Sequence, residues 1–361
     1  MLLSAVLAVA LSSAPQTMRA PEPPSVRVRV DSSRHEIYIT AGPYRLPSMP
    51  PGMDHAQMEQ MEGAETPVQR FEWPVEGWFR GFRVRVVDSR GDTLPRALLH
   101  HMIMVSFDRR QLLYPAAERL MGAGSETADV SVPKSIGVPM KPGQKLGMYS
   151  MWHNETGKDI EGAFVQVVLL YTPKNQNPRP LDAFPLYMDV NLTVGGTNTF
   201  DVPPGKSSKS HEFVFPVGGR LLGVGGHLHD YGVSVRLEDA ETGKIMVTLV
   251  GKRDAEGHLL DVPRKLFGVS GEGMKIKPGH RYRVVGEYDN PTKETIRDGA
   301  MAHIVGLFVP DDPAKWPGID PSDTEYQKDL ASLATQGGAM NNMPNMQHMK
   351  RDMDMKKKPE S

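Results

Sequence analysis

The sequence predicts an all-β protein built from two antiparallel β-sandwich domains, and three observations predict it. Roughly fourteen segments alternate in polarity or run continuously apolar at strand length. Turn formers are plentiful, with 35 Gly and 31 Pro. No strand–helix–strand alternation of the kind that builds parallel sheets occurs. In order, Val26 to Val30 alternates strictly and Glu36 to Thr40 is β-rich. Residues 47–66 form a Pro- and Met-rich loop. Strand character returns at Phe79 to Val87, Ala97 to Phe107, Phe164 to Tyr171 and Leu186 to Val194, with a Pro- and Asn-rich turn at 173–180. After Gly195-Gly196 it resumes at His211–Val217, Arg220–Leu228, Val233–Glu238, Lys244–Val250, Arg281–Tyr288 and Ala302–Val309. Two short stretches, Leu112–Met121 and Thr324–Thr335, have helical periodicity.

This pattern divides the chain. Leu2 to Leu11 is apolar and Ser12-Ser13-Ala14 follows, so residues 1–14 read as a signal peptide, too short to span a bilayer. Residues 15–25 form a Pro-rich linker, 26–185 a first sandwich and 186–312 a second. Residues 313–361 are a tail, Met-rich and expected to be disordered from about 337. An exported, periplasmic or extracellular protein with no membrane span is the expectation. The formal net charge of −1 gives no reason to expect a nucleic-acid partner. The absence of Cys excludes disulfides, thiolate metal sites, Fe–S clusters and cysteine nucleophiles. No Gly-x-Ser-x-Gly elbow and no phosphate-binding Gly-rich loop occurs.

The chemistry lies in the histidines. His227-Leu228-His229 projects two imidazoles from one face of a strand, the spacing that offers two ligands to one ion. His100-His101 sits mid-strand, where neighbours point to opposite faces, so both can serve one site only through a twist or a bulge. No Asp or Glu clusters beside either group in the sequence, which disfavours Ca, Mg and Mn. Imidazoles suit Zn and Cu, and a thioether donor tips the choice to Cu. A second Met/His set, Met49, Met53, His55, Met58 and Met61, lies in the first long loop. Another, including Met343, Met346, His348 and Met349, lies in the tail. Both are similar to the Met/His segments of exported copper-resistance proteins, and both are candidate accessory copper ligands.

The order of these residues resembles the copper type II, ascorbate-dependent monooxygenases, the family of peptidylglycine α-hydroxylating monooxygenase and dopamine β-monooxygenase. The resemblance runs over about residues 75–310. It implies two jelly-roll-like β-sandwich domains facing each other across a solvent-filled cleft, with two copper ions per chain. His100, His101 and His153 (in Met151-Trp152-His153-Asn154) would hold an electron-relay copper. His227, His229 and Met301 would hold the catalytic copper, where O2 and a small organic substrate react with electrons from ascorbate or another reductant. The chain departs from the family pattern in several places. It lacks the family's disulfides. Gly225 stands where the peptide-hydroxylating branch has a substrate-clamping arginine, and His303 and Val305 stand where it has asparagine and tyrosine. His303 is a further candidate ligand. The competing expectations are a non-catalytic exported copper carrier and, behind it, a structural β-protein with a relict site.

Overall fold

The computed structural model describes residues 23–50, 61, 63–268 and 272–336. The expected signal peptide, most of the linker, Met53, His55, Met58 and the tail methionines and His348 lie outside these residues. The protein is all-β. Its first strands are β1 (Ser25–Asp31), β2 (Glu36–Leu46), β3 (Gln69–Glu72), β4 (Gly77–Val87), β5 (Leu99–Arg110), β6 (Ala117–Gly124), β7 (Val130–Ser131), β8 (Ile136–Met140), β9 (Lys145–Trp152) and β10 (Ile160–Pro173). They form one sheet in the order β1-β2-β10-β4-β8, with β7 also on β4, and a second in the order β3-β9-β5-β6. Alternation explains the burial. Ile37, Ile39 and Ala41 of β2 face Leu99, Met102 and Met104 of β5 across one apolar core that also holds Trp73 and Trp152.

The remaining strands are β11 (Leu181–Asp182), β12 (Phe184–Asp189), β13 (Phe200–Val202), β14 (Gly205–Val214), β15 (Gly219–Leu228), β16 (Gly232–Asp239), β17 (Ile245–Val250), β18 (Lys252–Arg253), β19 (Leu259–Asp261), β20 (Lys265–Leu266), β21 (Met274–Ile276), β22 (Arg281–Asn290), β23 (Ile296–Ala300) and β24 (Ala302–Pro310). The sheet β12-β24-β15-β20, with β21 on β15, packs over the sheet β14-β22-β16-β17. Val224, Leu228, Ile304 and Phe308 from one side meet Val235, Leu249, Tyr282 and Val284 from the other in a second core.

The two cores are tied together. Strand β11 pairs in parallel with β8, and Ile136, Ala183, Leu222 and Val309 form a small apolar cluster between them. Leu112, Tyr114 and Ala116, early in the chain, belong to the second core. The helix α1 (Thr324–Thr335) returns to cover the outer face of β5 and β6, burying Tyr326 and Leu333 against Val105 and Ala117. Asp323 caps its N-terminus by accepting from the backbone of Glu325 and Tyr326. Arg119 grips the buried Asp329 through two nitrogens at 2.7 Å.

Two expectations are corrected. Leu112–Met121 is not a helix: the stretch bends to Ala116 and continues as β6. Its apolar residues fit a 3.6-residue repeat, but Pro115 supplies no amide donor and obstructs a helical turn, and from Ala117 onward β5 offers antiparallel pairing instead. The Met/His loop is also not wholly exposed. Met49 is buried against Ala64, with Met61 packed on both, so these two methionines have a packing role.

Candidate metal centre

The His-x-His strand does what its spacing requires. On β15, Val224, Gly226 and Leu228 point into the second core, so Gly225, His227 and His229 point the other way, toward the first core's sheets. Gly226 has to be small, because a Cβ there would lie 2.8 Å from Val235 and 3.0 Å from Val262. Strand β24 lies antiparallel to β15 with His303 opposite His227 and Ala302 opposite Leu228. The rings of His227 and His303 stack at 5.0 Å between centroids. Met301 and His229 stand in sequence just beyond the last pair of this register. The hydroxyl of Tyr288 joins them, accepting from the His229 amide at 3.0 Å and donating to the Met301 carbonyl.

His100 and His101 reach the same place by the other route. Leu99 pairs with Trp152, yet His101 pairs with the adjacent Met151, so His100 is the extra residue of a β-bulge. The bulge turns both rings to one side, with centroids 4.1 Å apart. His101 then meets the second sheet system directly: its Nε2 lies 3.2 Å from Nε2 of His227. Its ring also stacks on His229 at 5.9 Å and 23°. Ring nitrogens of His100, His101 and His229 all lie within 4.8 Å of one another, a group that could close on a metal ion.

Two carboxylates that the sequence reading did not place at the site stand behind these rings. Glu126 follows the partner of His101 on β6, Gly124, by two residues. Its Oε1 is 3.1 Å from Nδ1 of His227. Burial would raise its carboxyl, but the hydrogen bond and charge of His227 prevail and bring it down to about 2. Gly124 makes room, since a Cβ there would fall 2.1 Å from the Glu126 carboxylate. Arg96 holds this turn by the carbonyls of Gly124 and Thr127, and Arg264 holds it by those of Ala128 and Asp129. Asp189 is the second carboxylate. It lies opposite His303 in the β12–β24 register and is fully buried. It accepts from Tyr187, the Asn191 amide and Asn198. Its Oδ2 stays 3.6 Å from Nδ1 of His303. Burial raises Asp189, while burial and the neighbouring His227 hold His303 well below the ordinary imidazole range. His303 is therefore a neutral ring packed against the cluster.

His153 follows Trp152 at the end of β9, and its amide donates to Leu98 beside the bulge. Its ring is 6.2 Å from that of His100 and nearly perpendicular to it. Its Nε2 lies 3.1 Å from Glu155. Ring contacts thus join His100, His101, His227 and His229, with His303 on His227 and His153 on His100, while Met301 is tied to His229 through its backbone carbonyl by the Tyr288 hydroxyl. The two expected ligand sets are in ring contact. Glu126 was hidden just past the end of β6, in Gly122-Ala123-Gly124-Ser125-Glu126, with no cue beyond the small residues before it. Asp189 had a readable signal, a carboxylate inside the apolar run Leu186-Tyr187-Met188-Asp189-Val190.

No family model matches this chain, and no curated protein matches it. Among solved structures, one from Sulfolobus turreted icosahedral virus is similar over 89% of this chain and all of its own, with 10% identity and a TM-score of 0.29. A presumed secreted protein from Eubacterium rectale is similar over 67% of this chain and 69% of its own, with 7% identity and a TM-score of 0.21. Likeness at this level carries no functional information.

Proposed function

We propose that this protein binds copper and uses it to activate O2 toward a C–H bond of a small organic substrate, with electrons from ascorbate or a similar one-electron reductant. The observation that carries the reading is the convergence of imidazoles from two separate sheet systems, with His101 and His227 in contact at 3.2 Å. The donor set fits the metal. It consists of imidazole nitrogens, with Met301 two residues from His303 in the chain, and Glu126 occupies the far nitrogen of His227, the arrangement that fixes a ligating imidazole. Two β-sandwich domains, about 26–185 and 186–312, each contributing ligands, belong to the same reading, as does export from the cytoplasm.

Bound copper would supply the one-electron chemistry with O2. The chain's residues have separate tasks. Glu126 keeps the proton of His227 on Nδ1, so that Nε2 presents its lone pair toward His101. Met301 offers a soft donor that favours Cu(I). His303, kept uncharged, packs behind His227 and excludes water. At Gly225 a Cβ would meet the Arg264 stem at 3.5 Å, but the Arg264 guanidinium is directed at the Ala128 and Asp129 carbonyls. A substrate held there would not be gripped by its carboxylate, which favours an uncharged molecule.

The test is to load the full chain with copper anaerobically and then add ascorbate, isotopically labelled O2 and a panel of small neutral C–H substrates. Reductant-dependent incorporation of labelled oxygen into product is expected, and its loss in Met301→Leu. The departure at Gly225 favours a second reading, a copper carrier. That reading predicts tight copper binding with no product and no substrate-dependent O2 use.

A further inference from the structure

We infer that one ion is held jointly by His100, His101, His227 and His229, and that binding it staples β5 to β15. The inference rests on the copper-binding part of the preceding reading and not on turnover. Metal–imidazole bonds of about 2.0 Å set neighbouring ligand nitrogens of a tetrahedral site roughly 3.3 Å apart. The 3.2 Å between Nε2 of His101 and Nε2 of His227 is already that edge. The nitrogens of His100, His101 and His229 lie within 4.8 Å of one another; His227 joins this group through His101, with its ring 5.2 Å from that of His229, so binding one ion draws the His227 ring further in. The tautomer agrees. Glu126 accepts from Nδ1–H of His227, which leaves Nε2 of that ring as an acceptor aimed at the centre. With metal bound, the Nε2 lone pairs of His101 and His227 both turn to the ion. Two separate three-residue sets would have to part rings already in contact, His101 with His227 and with His229, whereas His153 touches the group only at His100, 6.2 Å between centroids, and has Glu155 3.1 Å from its Nε2.

Glu126 is then a positioning residue, and its location is informative. It comes from the turn after β6, yet it orients an imidazole on β15, so the site is assembled only when the two sheet systems are docked as observed.

The experiment titrates the apo full chain with Cu(II), following stoichiometry by equilibrium dialysis and the number of coordinated nitrogens by electron paramagnetic resonance. Thermal unfolding of each apo variant controls for folding, and a His→Gln change replaces any His→Ala variant that unfolds. One tightly bound equivalent is expected. His100→Ala and His229→Ala should each abolish that same equivalent, and Glu126→Gln should weaken it by about 10- to 100-fold. His153→Ala should leave stoichiometry and nitrogen count unchanged. Two equivalents, one lost with His100→Ala and the other with His229→Ala, would overturn the joint site and leave the copper reading intact. No copper binding at all would overturn both.

Discussion

The two histidine-bearing strands reach one centre by opposite means. On β15 the backbone is regular at the site, and the side chains converge because i and i+2 share a face. On β5 the side chains are adjacent in sequence, and the backbone is made irregular to bring them together. The regular strand needs only small residues and a good core beneath it. The bulged strand gives up a ladder position at His100, and its surroundings have to brace it. Strand β6 runs along its flank from His101 onward, and further along the strand α1 covers Val105 and Ala117, with Asp329 bonded to Arg119 and to the Ala117 amide. The lesson is that a ligand pair written as neighbours requires more of the rest of the fold than a pair written with a spacer.

This contrast can be broken in three places. The largest effect is expected from Asp329→Ala, which leaves Arg119 without its buried carboxylate. Removing one partner of such a pair costs about 3–5 kcal/mol, read from the urea midpoint at constant m-value. A loss below about 1 kcal/mol would mean that the helix is not a brace for β5 and β6. Next comes the acid limb of the apo protein. Glu126 lies at about 2 when folded against a reference of 4.5. A depressed carboxyl stabilises the fold above its unfolded value, so this contribution is present above roughly pH 4.5 and is lost as the pH falls toward 2. It amounts to about 3 kcal/mol at about 1.4 kcal/mol per pH unit. Glu126→Gln should flatten stability against pH over that window, and an unchanged profile would show that the carboxylate does not grip His227. The smallest effect belongs to β15 itself. Gly226→Ala forces a methyl against Val235, Val262 and Leu249. Overpacking of this kind costs about 1–3 kcal/mol, measured by thermal unfolding. No cost would mean that β15 can shift to admit the methyl.

Much of this was legible in the sequence, for physical reasons. Period-two alternation marked β1 and β4, β-rich composition marked β2, and Thr324–Thr335 was readable as a helix from its apolar spacing. His227 and His229 could be assigned a common face because strand geometry alone fixes it. For His100 and His101 the sequence stated the problem, that neighbours diverge, without stating which residue would bulge. What stayed hidden is non-local. Glu126 reaches His227 across a hundred positions of chain through a turn held by Arg96 and Arg264, and no periodicity encodes such a contact. Leu112 to Met121 misled because helical spacing and a bent approach to a strand bury similar residues, and Pro115 was the deciding letter.

The return of α1 to the beginning of the fold has a consequence for biosynthesis. As the chain leaves the ribosome, β5 and β6 are complete some two hundred residues before Asp329 emerges to meet Arg119. Through that interval a guanidinium waits without its counter-charge, and the apolar side chains of Val105 and Ala117 lack their cover. Final closure of the earliest-made layers therefore belongs to the last-made helix, and a ribosome that stalls before residue 324 would release a chain whose oldest part is its least finished.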